Sequence, residues 1–317
     1  MSQEHPPLAV GGQAVLEGVM MRSPRAVAIA VRKSDGSIAL KDEPFISLGE
    51  RYPLLKRPFF RGPVILFEAL VLGVKALNFS AQAALEEEET SLGSGAIFLT
   101  LAGAFALAFV LFGFLPHWLT GALGYLGGPV LTPADFAFHL VDALIKAAFI
   151  LLYIWGISFF KDIHRVFEYH GAEHKCIFTY ESGEPLDVDH ARGHPTCHPR
   201  CGTSFILVVL LVSLVVFAAF FPLIPFLSKK GLIATLIQVL VKTAFLIPIA
   251  AVGYEIIRWG GHTHTKNNLL ARALVWPGLI TQRLTALEPD DSQLEVALTA
   301  LKAVLVREGV AEIAGEG

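Results

Sequence analysis

The octapeptide Tyr169-His170-Gly171-Ala172-Glu173-His174-Lys175-Cys176 crowds metal-binding side chains at a spacing that chemistry can use. On a helix, His170 and His174 stand one turn apart on one face, and Glu173 lies beside both. This is the H-x-x-E-H order of the inverted zincins. Two imidazoles would hold a divalent metal while the carboxylate takes a proton from water that the metal acidifies, which is how such hydrolases work near neutral pH. The plainer reading of so short a pattern is a polar helix end whose histidines sit at a membrane surface.

A second group follows. His190, His194, Cys197, His198 and Cys201 fall within twelve residues, ending in Cys-His-Pro-Arg-Cys-Gly. Imidazole with thiolate suits zinc better than magnesium or calcium. The C-x-x-x-C spacing is looser than that of a zinc knuckle and no second cysteine pair exists, which argues against a free-standing ribbon. Joined to His170 and His174, however, His198 and Cys201 complete a set of four N/S ligands, with Glu173 as the general base. Two further carboxylates are candidates. Glu17 lies in a glycine-punctuated stretch that would fold back over the histidines, although a loop carboxylate is more often a surface partner. Glu255 falls at the end of an apolar span, at the depth where the histidine segment begins.

The elements that must carry these residues are membrane helices. The 317 residues are 54% hydrophobic and 17% charged, with a mean hydropathy of +0.57. That is too apolar for an ordinary soluble domain and points to the lipid bilayer as partner. The net charge of −3 gives no footprint for nucleic acid. Three cysteines make no disulfide framework and fit a reducing compartment. Met1 to Pro7 is polar and no apolar core of a signal peptide follows it.

Residues 1–62 read as a cytosolic segment, in which 11–22 is a loop with a short strand. Val27, Ile29 and Val31, the turn Ser34-Asp35-Gly36-Ser37 and Ile38 to Leu40 read as a β-hairpin. Residues 63–94 hold an apolar segment from Val64 to Ala84, interrupted by Glu68 and Lys75 and read as an interfacial or re-entrant helix, and then an acidic linker. Residues 95–257 carry four spans: Gly95–Leu115, Phe136–Phe160, Ser204–Leu227 and Leu232–Ile257. The first has 21 uncharged residues, enough at about 1.5 Å each to cross a hydrocarbon core of roughly 30 Å.

The region from Pro116 to Asp135 lacks Lys and Arg, whereas the segment before the first span, the loop 161–203 and the tail 258–317 are rich in them. The positive-inside rule then places both termini and the histidine loop in the cytoplasm, with Lys229 and Lys230 as a mild exception. Arg258, Lys266 and Arg272 read as membrane anchors, and His262 and His264 as interfacial. Inside the spans, Asp142 and Lys146 form a favourable i,i+4 pair with His139 on the same face, and Lys242 lies mid-helix. An ion pair joining helices is the preferred account, a polar pathway the other. In the tail, Asp290 and Gln293 form a capping box, and Leu294, Leu298, Leu301 and Leu305 one apolar stripe.

Four stretches carry a resemblance: 11–22 (Gly-Gly-Gln-Ala-Val-Leu-Glu-Gly-Val-Met-Met-Arg), 168–175 (Glu-Tyr-His-Gly-Ala-Glu-His-Lys), 198–205 (His-Pro-Arg-Cys-Gly-Thr-Ser-Phe), and 277–297 with its Pro-Gly-Leu, Gln-Arg-Leu-Thr and Glu-Pro-Asp-Asp-Ser-Gln-Leu-Glu-Val-Ala. Over nearly its whole length the chain resembles the YqhQ-like bacterial membrane proteins, the DUF1385 family. The resemblance implies a metal-dependent enzyme of unstated substrate, with His170, Glu173, His174, His198, Cys201 and Glu17 at matching positions. Cys176, His194 and Cys197 fall outside the pattern.

The expected protein is mainly α: a polytopic membrane bundle of four transmembrane helices with a small cytosolic α+β face. The first functional expectation is a zinc-type hydrolase at the cytoplasmic membrane face, its shell completed by His198, Cys201 or Glu255. The second is a non-enzymatic assembly or regulatory factor with a structural zinc, and the third a transporter. A closed four-ligand shell favours the second; an open position within reach of Glu173 favours the first. Homo-oligomerisation and the substrate stay open.

Overall fold

A computed structural model describes residues 8–85, 94–123, 127–128, 130–224, 231–260 and 269–310. The acidic linker at Glu86–Glu89, Lys229, Lys230, His262, His264 and Lys266 lie outside the described residues. Four strands, β1 (Gly11–Val15), β2 (Gly18–Arg22), β3 (Ala26–Arg32) and β4 (Ile38–Pro44), form an antiparallel sheet in chain order. The hairpin expected from Val27 to Leu40 is there as β3 and β4. The stretch 11–22, expected as a loop with a short strand, is a second hairpin in which Val15 faces Gly18 across Leu16 and Glu17. Its turn escapes a sequence reading because Glu17, at φ 51, takes the left-handed conformation that Gly or Asn usually supplies.

The central strands β2 and β3 are buried on both faces, and β3 shows why its residue types alternate in size. Val27, Ile29 and Val31 pack with Leu72 and Ala76 on one face. Ala26, Ala28 and Ala30 lie on the other, where small side chains let a helix approach, in one core with Tyr169, Cys176, Leu294, Leu301 and Leu305. The first helices are a single turn, α1 (Leu48–Arg51), and the long α2 (Arg61–Leu85). Then come α3 (Ser94–Ala108), continued through a π-helical turn Phe109–Phe114 into α4 (Leu115–Ala122), and α5 (Phe136–Ile157). The π turn precedes Pro116, whose ring cannot accept the regular helix geometry behind it.

The remaining helices are α6 (Lys161–Glu181), α7 (Val188–Arg192), α8 (Gly202–Phe220), α9 (Leu232–Gly260), α10 (Leu269–Thr285) and α11 (Asp291–Glu308). Helix α11 begins with the capping box of Asp290 and Gln293. Its leucines 294, 298, 301 and 305 are buried, each worth about 2 kcal/mol of transfer free energy.

The molecule is mainly helical, and among the described residues five helical stretches are long and apolar enough to cross a membrane: Arg61–Ala84, Phe98–Ala122, Phe136–Ile157, Gly202–Leu223 and Leu232–Trp259. The count of four is therefore corrected to five candidates. The addition is α2, whose central Glu68 and flanking Lys75 lower its hydropathy without taking it out of the membrane range. Between the other spans a buried cluster joins three helices. Asp142 Oδ2 accepts from Lys146 at 2.8 Å and Lys242 at 2.6 Å. His117 bridges Lys242 and Gln238 through its two ring nitrogens. The Lys242 ammonium sits over the rings of Phe138, Phe217 and Phe221.

Candidate metal centre

Helix α6 brings His170 and His174 onto one face as their spacing requires, their ring centroids 4.4 Å apart. The chain then turns through α7 and returns, so that Cys201 arrives as the N-cap of α8 and its sulfur accepts from the Thr203 amide. One ring nitrogen of each histidine and the Cys201 Sγ lie within 4.8 Å of one another. His170 Nε2 is 3.3 Å from that sulfur.

The opposite edges of the two imidazoles are committed to the backbone. His170 Nδ1–H donates to the Thr285 carbonyl at 2.7 Å, and His174 Nδ1–H to the Thr196 carbonyl. A proton held at Nδ1 leaves the Nε2 lone pair free on both rings, the tautomer and orientation that metal-ligating histidines use. Burial lowers the pKa of His174, which keeps it in the neutral form a metal requires. The donor set of two nitrogens and one sulfur fits zinc.

Two glycines make this packing geometrically possible. A Cβ on Gly171 would lie 1.8 Å from the Leu287 carbonyl oxygen. At that crossing the Leu287 amide also donates to the Phe167 carbonyl, which registers the end of α10 against α6 and presents Thr285 to His170. A Cβ on Gly12 would meet the Met20 carbonyl oxygen at 2.5 Å and the Glu173 carboxyl carbon at 3.1 Å. Glu173 is thus clasped between α6 and β1, its carboxyl group packed against the Gly12 backbone. It is 5% exposed, and burial raises its pKa against the lowering influence of His170 and His198. Glu173 and the three donors line one pocket of about 460 Å³, with β1 along one side and Ile154, Ile157 and Ile206 from the ends of α5 and α8 on another.

His198 stands beside the centre and outside the group of three donors. Its ring is 5.7 Å from that of His174 and 4.5 Å from that of Phe178. The Arg200 amide donates to its Nδ1 at 3.2 Å, so its proton resides on Nε2, 3.6 Å from Glu181. Burial brings its pKa down to about 4. Gln282 fixes the backbone here, accepting from the His198 amide and donating to its carbonyl.

The other candidates are elsewhere. Glu17 forms an ion pair with Arg165, and Glu255 pairs with Arg61 of α2. Neither lines the pocket. Each has a guanidinium as partner, held by two charge-assisted hydrogen bonds. His190 bonds Asp187 and His194 bonds Glu184 at the surface. Cys176 is buried in the core, where burial pushes its thiol pKa well up. The groups a sequence reading misses are the Thr196 and Thr285 carbonyls, which carry no side-chain signal, and Gln282, whose motif Gln-Arg-Leu-Thr is visible without its role.

Helices of membrane length, a small sheet and a buried His/His/Cys cluster beside a carboxylate define a membrane protein with a candidate metal centre. The chain belongs to the family described as a protein of unknown function (DUF1385), which it matches over residues 57–307. It is similar to the uncharacterized protein YqhQ of Bacillus subtilis (strain 168), with 32% identity over 323 residues, covering 98% of this chain and 97% of that protein. No solved structure matches it.

Proposed function

We propose that this chain is a metal-dependent hydrolase working at the cytoplasmic face of a bacterial inner membrane. The observation that carries the reading is the commitment of both histidine Nδ1 atoms to backbone carbonyls, which frees two Nε2 lone pairs and the Cys201 sulfur beside a buried carboxylate. His170, His174 and Cys201 would hold a divalent metal such as zinc, which supplies Lewis acidity and acidifies water. Three protein donors leave a fourth position open, the arrangement of catalytic sites. Glu173 takes the proton from water and delivers it to the leaving group. His198, with its proton on Nε2, is a hydrogen-bond donor at the edge of the pocket.

Four crossings with both termini on one side are supported by parity, and the distribution of basic residues favours the cytoplasm as that side. The sheet, α6 and α11 share one core and so lie on one side of any bilayer. Between α6 and α11 stand two candidate spans, α8 and α9, which is even. Between the sheet and α6 stand three, so one of them does not cross. Helix α2 fits that part because it lies along the sheet. Glu68 accepts from Arg22, Ser47 and the Leu48 amide, and Gln13 donates to the Ala69 carbonyl. Its other face presents Phe67, Leu70 and Leu77, as a helix lying in the membrane interface does.

Glu173→Gln tests the enzyme. It keeps the shape and an oxygen beside the Gly12 amide while removing the base. The variant is expected to keep metal and thermal stability and to fail to complement a deletion strain, whereas His170→Ala loses metal, stability and complementation together. Full complementation by Glu173→Gln would leave the second reading, a structural zinc in an assembly factor. That reading is favoured by the position of Cys201 as the cap of α8, where a bound metal would tie α6 to the first turn of a span.

A further inference from the structure

The pocket wall formed by β1 has unused hydrogen-bonding capacity. The sheet order makes β1 an edge strand. Because Val15 and Gly18 close a two-residue turn, Val15, Gln13 and Gly11 exchange their backbone bonds with β2, and Gly12 and Ala14 turn theirs outward. The same alternation continues across the sheet, where Arg32 donates to the Glu17 carbonyl. The outward Gly12 amide faces the Glu173 carboxylate, which packs against this backbone and is lowered in pKa by it. Among the described residues nothing bonds the Gly12 carbonyl or the amide and carbonyl of Ala14. Gly12 and Ala14 both line the pocket and are only partly buried.

Edge strands with free backbone groups invite another strand, and proteins normally cover them. Here the exposed edge runs past the three donors and the carboxylate. We propose that the substrate is a polypeptide, bound in extended form as an added antiparallel strand on β1 with its scissile amide carried across the His170, His174 and Cys201 cluster. An extended peptide meets Ala14 with both a carbonyl and an amide and offers a second amide to the Gly12 carbonyl. The acyl ester group of a lipid carries no N–H, so at the bond to be cleaved it offers an acceptor to the Ala14 amide and no donor to either carbonyl. Ile154, Ile157 and Ile206 line the facing wall at the ends of α5 and α8, where apolar side chains of a segment leaving the bilayer would rest.

The inference rests on the hydrolase reading and names its substrate class. Cleavage adds water across the amide. The hydroxyl goes to the carbonyl carbon, the C–N bond breaks, and the proton taken by Glu173 passes to the departing nitrogen.

The test uses the full chain in nanodiscs of phosphatidylethanolamine and phosphatidylglycerol, loaded with zinc and offered a defined library of synthetic decapeptides, with products of both peptides and lipids read by mass spectrometry. Ala14→Pro removes the outward amide alone, which an edge strand tolerates because that N–H makes no ladder bond. Peptide cleavage that is lost in Glu173→Gln and falls at least tenfold in Ala14→Pro, at unchanged zinc content, is the expected result. A second readout needs no turnover. In Glu173→Gln, cleavable library peptides should slow hydrogen exchange at the Ala14 amide severalfold, and this stands in for Ala14→Pro should that variant lose its zinc.

Glu173-dependent lipid hydrolysis without peptide cleavage would overturn the substrate class and leave the hydrolase reading intact. Peptide cleavage indifferent to Ala14→Pro, or exchange at Ala14 that peptides do not slow, would remove β1 as the docking edge. Absence of any Glu173-dependent hydrolysis in zinc-loaded protein would remove the hydrolase reading and this inference with it.

Discussion

At the scale of single residues, the centre depends on who holds which ring nitrogen. The chain purified with zinc is expected to carry about one ion per chain by elemental analysis, and His170→Ala with His174→Ala to carry none. Cys201→Ala, which removes the sulfur donor, should weaken binding by more than the roughly 10–100-fold that loss of an outer partner costs. Unchanged stoichiometry in the double variant would dispose of the centre. Much of this was legible beforehand, because i,i+4 histidines on a helix share a face whatever surrounds them. Cys201 was legible from its type and its nearness to a span. The carbonyls of Thr285 and Thr196 were not, since a backbone acceptor leaves no trace in residue identity. The ion pairs of Glu17 and Glu255 were hidden for a related reason: their partners, Arg165 and Arg61, lie 148 and 194 residues away along the chain.

Elements are held at the centre by contacts that tolerate little change. In Gly171→Ala the new methyl cannot coexist with a carbonyl oxygen 1.8 Å away, so α6 must part from the α10–α11 connection. Overpacking of this kind costs about 1–3 kcal/mol. The expected result is a lowered thermal denaturation temperature together with weakened zinc binding, because Thr285 moves away from His170. A drop in stability with full zinc affinity would show that the Thr285 contact does not orient the ring.

The intramembrane cluster gives an asymmetric prediction. Asp142 serves both Lys146 and Lys242, so Asp142→Asn strands two lysines, whereas Lys242→Met leaves Asp142 with Lys146. Breaking a buried pair costs about 3–5 kcal/mol, and Asp142→Asn should lie at the upper end with Lys242→Met below it. Equal denaturation temperatures for the two variants would contradict the shared pairing. The hairpin at 11–22 was hidden because its turn uses a glutamate. The capping box and stripe of α11 were plain because caps and periodicity are local.

For the whole molecule, the question is how many helices cross. Five are long and apolar enough, yet the common core of the sheet, α6 and α11 requires an even number of crossings between each pair of these elements. Hydropathy alone does not see this, since it scores α2 by composition and is blind to the sheet its buried face covers. Reporter fusions separate the alternatives. A reporter after Leu85 is expected on the cytoplasmic side, one after Gly128 on the outer side, and one after Gly317 on the cytoplasmic side again. An external reporter after Leu85 would make α2 a true span. The next helix pair would then return the chain to the wrong side of the membrane for α6 to meet β1, and Glu173 would be separated from the Gly12 backbone it packs against. Accessibility of a cysteine introduced at Lys75, an exposed polar position near the middle of α2, gives an independent reading: in the interface it reacts with a membrane-impermeant maleimide added to inside-out vesicles, and in a span at mid-bilayer it does not.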